Sequence, residues 1–201
     1  MKTTFLTIAT IFTLALGTIT SANASVNNNQ EENSTTLTNV SKINKIEIYG
    51  NVELFVSDGT ADQVKVYNKY YEESALVQSK DGVLRISSYG DKKLVVWVTA
   101  NDLRAITAND NAEVKSFGNL SKIDLDVTLN NNASAKLSLD AYKANITVND
   151  RAKADLSGNV TDYTISHDQS ATVNHTNIIA GTTNNKVTNI TKADRSELAI
   201  L

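Results

Sequence analysis

Five segments of the chain share one pattern. Ile106-Thr107-Ala108-Asn109-Asp110-Asn111-Ala112 aligns with Val127–Ala133, Ile146–Ala152, the looser Thr164–Ser170 and Ile190–Ser196. The consensus is Ile or Val, Thr, any residue, Asn, Asp or Asn, any residue, then Ala or Ser. Successive copies start 21, 19, 18 and 26 residues apart. Self-similarity near this period, made of strand-forming residues and turns, marks a solenoid. A leucine-rich repeat needs a leucine ladder that is missing here, and a propeller blade needs about 40 residues. The remaining reading is a β-helix with coils of about 18–21 residues stacked at the inter-strand spacing of about 4.8 Å.

The residues fit such coils. Leu125, Val127 and Leu129 share one parity, followed by Ala133, Ala135 and Leu137; Ala144, Ile146, Val148, Ala152, Ala154 and Leu156 repeat this one coil later. Alternation of this kind sends every second side chain to one face. The bend between the two apolar runs is expected at Asp110, Asn131, Asp150, Asp168 and Asp194. Asp and Asn tolerate the left-handed backbone and bond nearby backbone groups. Asn131 is expected to reach the equivalent residues above and below, as side-chain ladders do in cross-β stacks. The chain has 24 asparagines, 23 threonines and no proline. Average usage predicts roughly 10 prolines in this length. Strands paired on both sides explain the deficit, because each proline deletes a ladder bond.

Upstream of the repeat the period is also two. Ile46, Ile48, Val52, Leu54 and Val56 alternate around a bend at Gly50-Asn51. Val64–Tyr67 reads as a strand, and Asp81-Gly82 as a hairpin turn between Ala75–Val77 and Val83–Ile86. Leu94–Val98 is a continuous apolar run, which suits a strand covered on both faces. Glu72 to Gln78 could form one helical turn, but no apolar stripe of helical period persists for three turns. The chain reads as all-β, a β-solenoid preceded by β-hairpin-like strands.

From Ile43 to Leu201 the chain resembles the head GIN domain family of auto-transporter adhesins. The likeness rests on I-E-I-Y-G-N-V-E-L-F-V, on D-G-V-L-R-I, on L-V-V-W-V-T-A leading into L-R-A-I-T-A-N-D-N-A-E-V, and on the repeated bend. The resemblance implies a right-handed β-helix-like fold in an exported or surface-exposed bacterial protein of poorly defined biochemical role. The family bend usually reads S-G-A-S; Asn-Asp stands in its place here. The motif marks a fold and lends no catalytic residue.

Residues 1–24 read as a secretory signal peptide, with Lys2 as its positive region, Phe5–Gly17 as an apolar core and Ala22-Asn23-Ala24 as a cleavage site. The core run is shorter than the roughly 20 residues of a membrane span. Residues 25–42 read as a flexible polar leader, and 43–201 as one β-solenoid domain. Export to the periplasm or cell surface of a Gram-negative-type bacterium follows. The net charge is −3, and −4 once Lys2 is removed. That balance disfavours nucleic acid and anionic membrane as partners. With no cysteine, disulfides, thiolate metal sites and a cysteine nucleophile are excluded.

The candidate sites are few. Asp110, Asp150, Asp168 and Asp194 form an expected column that could bind a cation or act on polysaccharide, but like charges one coil apart repel and Asn131 interrupts them. A structural bend is the preferred reading, with no metal and no cofactor implied. His167-Asp168 with Ser166 or Ser170 lacks a nucleophile elbow; His167 and His175 read as surface residues. Tyr67, Tyr70, Tyr71 and Trp97 could form a sugar platform, the plainer alternative being Trp97 in the core. The function expected is a non-enzymatic, adhesin-like module of the cell envelope that binds a protein or glycan. The alternatives are a β-helix polysaccharide-active enzyme and a self-associating structural module.

Overall fold

The computed structural model describes residues 34–37, 40, 42–67 and 75–188. The architecture is all-β, with no helix among the described residues, as the period-two pattern predicts. Twelve strands form one sheet, which curls into an open half-barrel. They are β1 (Thr35–Leu37), β2 (Lys45–Gly50), β3 (Val52–Ser57), β4 (Gln63–Val66), β5 (Ala75–Lys80), β6 (Val83–Ser88), β7 (Leu94–Thr99), β8 (Ala105–Asn109), β9 (Glu113–Leu129), β10 (Ser134–Val148), β11 (Lys153–Asp168) and β12 (Thr172–Thr188).

Strands β9 to β12 are long and parallel, each laid on the one before it. Ser134 of β10 lies opposite Glu113 of β9 and Lys153 of β11, and Ile146 opposite Val127 and Ile165. Each long strand therefore passes across two faces of the curl. The first half of β9 pairs with β3 while its second half pairs with β8.

The upstream strands do not form a hairpin-like preface. β2 and β3 lie in the middle of the sheet. β2 is parallel to both β6 and β8, and β3 to both β7 and β9. Thus the segment that comes first in sequence is flanked by two later ones, and its four ladders bury Ile46, Ile48, Leu54 and Val56 completely. The predicted Asp81-Gly82 hairpin is present: β5 is antiparallel to β6, with Asp81 (φ 51) and Gly82 (φ 80) in the left-handed region that such two-residue turns require. Ala75–Lys80 are strand, so the one-turn helix alternative fails there; its residues 72–74 lie outside the described ones.

The flexible-leader expectation is corrected at Thr35–Leu37. These residues form β1, antiparallel to β4, because β4 offers an edge and Leu37 packs against the core. The signal-peptide residues 1–24 lie outside the described residues.

Between the faces runs one apolar core. Leu84, Leu94, Ile106, Leu125, Val127, Ile146, Leu156 and Ile165 are essentially inaccessible, each such burial favouring the fold by about 1.5–3 kcal/mol. Alanines 112, 133 and 152 sit fully buried beside the bend. In β12 the interior series turns polar. Thr183 and Asn185 stand opposite the buried Tyr163 and Ile165.

Candidate ligand-binding face and the bend ladders

Asp110 (φ 62), Asn131 (φ 61) and Asp150 (φ 56) adopt the left-handed backbone. Their side chains work downward through the stack. Asn131 Oδ1 accepts the Asp110 N–H at 3.5 Å, and Asp150 Oδ2 accepts the Asn131 N–H at 3.0 Å. Asn131 thus reaches the equivalent Asp110, through the Asp110 backbone N–H, and a second ladder, side chain on side chain, runs through the residue before it. Asn149 Nδ2 donates to Asn130 Oδ1 at 2.7 Å, Asn130 Nδ2 to Asn109 Oδ1 at 2.8 Å, and Asn109 Nδ2 to the Ile48 carbonyl at 3.3 Å. The consensus Asn is the ladder residue in the three copies that carry it, Asn109, Asn130 and Asn149.

Asp168 is misplaced in the sequence alignment by one residue. Val148 pairs with His167 and Ile146 with Ile165, so Asp168 occupies the position of Asn149, and Gln169 that of Asp150. The backbone agrees: the Ala171 N–H bonds the Asp168 carbonyl as the Ala152 N–H bonds that of Asn149. A one-residue slip reverses which side chains face inward, and Thr164–Ser170 was too loose a copy to fix it. Asp168 is nearly buried, at 7% exposure, and its Oδ2 accepts the Asp150 N–H at 2.7 Å. Asp194 lies outside the described residues. Among those described, no three His, Cys, Asp or Glu side chains converge to hold a metal ion.

The histidines are not simple surface residues. His167 Nδ1 lies 3.0 Å from the Asp168 carbonyl oxygen. The half-buried His175 packs its ring 5.8 Å from that of Tyr163, whose burial raises its phenol pKa far above the ordinary value.

The most distinctive feature of the outer face is aromatic. β7 buries Leu94, Val96 and Val98 and turns Val95 and Trp97 outward. The expectation of a strand covered on both faces is therefore corrected, and Trp97 is not core. The continuous apolar run hid the parity. Phe55 of β3 lies opposite Trp97, with the rings stacked 5.0 Å apart. Tyr67 meets Trp97 edge-on at 6.4 Å and Phe117 tilts against it at 5.2 Å. Phe117 is 64% exposed. Phe55 and Phe117 escaped sequence reasoning because they come together only across strands; their period-two parity with Glu53 and Lys115 was the available signal. Tyr70 and Tyr71 lie outside the described residues.

Charge surrounds these rings. Lys115 ion-pairs with Glu53 and Glu113, and its ammonium lies 5.6 Å from the Phe55 ring centre, within cation–π range. Lys93 bonds Glu113 at 2.6 Å. These contacts, Lys93 foremost, hold the Glu113 carboxyl below its ordinary range against a smaller opposing effect of burial, while the bond to Glu53 raises Lys115. Beyond Lys115 a shallow hollow continues over Ser134, Lys136, Lys153, Asp155 and Thr172.

The family described as "Putative auto-transporter adhesin, head GIN domain" matches residues 42–193. The chain belongs to this family. Among solved structures, the GIN-domain fold here is similar to a "putative adhesin" from Parabacteroides distasonis ATCC 8503, 20% identical over 78% of each chain with a TM-score of 0.53. It is also similar to a "Putative lipid binding protein" from the same organism, 8% identical over 77% of each chain with a TM-score of 0.52. At these identities the likeness is one of fold. No curated protein matches the chain.

Proposed function

We propose that this GIN-domain chain is an exported, non-enzymatic, adhesin-like module that binds at the cell envelope or surface. The observation that carries this reading is the row of outward aromatic rings at Tyr67, Trp97, Phe55 and Phe117. Aromatic side chains left at a surface are typical anchors of interaction sites. The family's description, and a signal-like segment at residues 1–24, support export. The same reading takes the sheet as a right-handed β-helix. The parallel ladders of β9 to β12 support it, together with the strong right-handed preference of parallel crossovers. The Asp150 and Asp168 oxygens hold backbone N–H groups, which favours a structural use of the bend column over catalysis.

The test is fractionation of a tagged full chain, followed by retention of the mature protein on isolated envelope material. Recovery in the envelope or outside the cell, with retention lost in a Trp97→Ala/Phe117→Ala variant, is expected. A cytoplasmic protein, or one that no envelope component retains, overturns the proposal.

A further inference from the structure

The aromatic row does not stand alone. Across adjacent strands of the outer face, one register line runs Lys65, Trp97, Phe55, Lys115, Lys136 and Asp155. Lys115 and Lys136 are directly opposed in that line. Like charges so placed cost stability. Only one of the two is well compensated: Lys115 turns to Glu53 and Glu113, whereas Lys136 is 77% exposed and 3.8 Å from Asp155. Lys153, exposed on the next line, stands opposite Ser134. Lys65, Lys93, Lys115, Lys136 and Lys153 thus outnumber Glu53, Glu113 and Asp155, in a chain whose net charge is −3. The strip is locally positive on an acidic protein. It is also elongated, the rings at one end and the lysine-lined hollow at the other.

We infer that this strip binds an extended acidic glycan. Pyranose faces stack on Trp97 and Phe117, and uronate or other sugar carboxylates lie toward Lys136 and Lys153. The inference rests on the binding-module reading above and names its ligand class. A sugar suits the strip better than a broad protein or lipid surface does. The rings are a narrow row hemmed by ion pairs, offering apolar faces and charged hydrogen-bonding groups side by side, and a pyranose presents that same mixture. Charge complementarity selects the acidic class.

The test uses the mature full chain against an array of uronate-containing and sialylated oligosaccharides beside neutral oligomers of equal length, followed by calorimetry on the best acidic binder. Binding to acidic members that weakens as salt rises is expected. Phe117→Ala should weaken it roughly tenfold at low and high salt alike, equivalent to about 1.4 kcal/mol. Lys136→Gln/Lys153→Gln should weaken it at low salt and flatten the salt dependence. All three positions are exposed, and circular dichroism checks that the variants fold. Equal binding of neutral oligomers overturns the acidic assignment. Retention of envelope protein but of no oligosaccharide overturns the glycan while leaving the binding module intact. Failure to retain any envelope material overturns both.

Discussion

Asp168 Oδ2 accepts the backbone N–H of Asp150 at 2.7 Å, although Asp168 stands one residue earlier in its coil than Asp150 does in its own. Gln169 occupies the place in that strand pair that Asp150 holds in its own. Asp168→Ala leaves a part-buried N–H without its acceptor and should cost about 1–3 kcal/mol. Asp168→Asn keeps an acceptor for that N–H and should lose much less. Urea unfolding of the two variants checks this, and equal loss in both sinks the argument.

The asparagine ladder makes a sharper contrast within a single coil. Asn130 both donates to Asn109 and accepts from Asn149, while Asn132 makes a 3.5 Å contact to Asn111 and accepts from Arg151 at 3.2 Å, both at the exposed surface. Asn130→Ala should cost about 1–3 kcal/mol, and Asn132→Ala no more than about 0.5 kcal/mol. Comparable melting temperatures for the two would remove the ladder from the account of stability.

Backbone geometry predicts a second contrast. At Gly158 (φ +114) an added Cβ would lie 2.0 Å from the Leu139 carbonyl oxygen, whereas at Gly118 (φ +78) it meets nothing within 4 Å. Gly118→Ala carries the conformational cost alone, about 1–3 kcal/mol. Gly158→Ala adds a backbone clash between paired strands and should be the more damaging by a clear margin. Thermal unfolding of both variants decides it.

Acid sensitivity should centre on Glu47. Hydrogen bonds from Lys45 and then Arg85 lower its pKa from the ordinary 4.5, outweighing burial. A depressed folded-state pKa contributes stability that is full above about pH 4.5 and is lost as pH falls through the folded value. Glu113, lowered chiefly by Lys93, adds to the same limb. Glu47→Gln should therefore lower the melting temperature near neutrality and shrink its drop in acid. An unchanged acid limb in this variant argues against the assignment.

Lys122 ties three segments together. Its side chain is only 6% exposed, 2.6 Å from Asp58 Oδ1 and within 3.4 Å of the Ala100 and Asn101 carbonyl oxygens. Removing Lys122 takes the charge partner from Asp58, which is 28% exposed and still accepts the Ser121 N–H. Lys122→Ala should cost about 1–3 kcal/mol, and the Lys122→Ala/Asp58→Ala pair less than the sum of its singles. Additive losses in a double-mutant cycle would show that the two charges are not coupled.

Much of the architecture is written locally. Alternating aliphatics specify strands whichever partner they find, and the Asn-Asp pairs at 109–110 and 149–150 specify a left-handed bend because few other residues tolerate that backbone at low cost. The solenoid expectation and the family likeness came from those patterns. Register is different. Thr164–Ser170 carries two candidate alignments with similar local merit, and only the burial of Ile165 and Tyr163 against the neighbouring coil chose between them. The stacking order is likewise non-local: nothing in Ile46–Val56 announces that β6 and β7 will lie on one side of it and β8 and β9 on the other. The aromatic strip was the least legible feature, because Leu94–Val98 is apolar at every position and has no parity of its own. The sequence by itself determined strands and the left-handed bends at Asp110, Asn131 and Asp150, each dictated by local sterics and side-chain alternation. Only the tertiary structure decided which coil lies beside which, and that Trp97 faces outward to meet Phe55 and Phe117, since those outcomes depend on burying apolar surface between residues far apart in the chain.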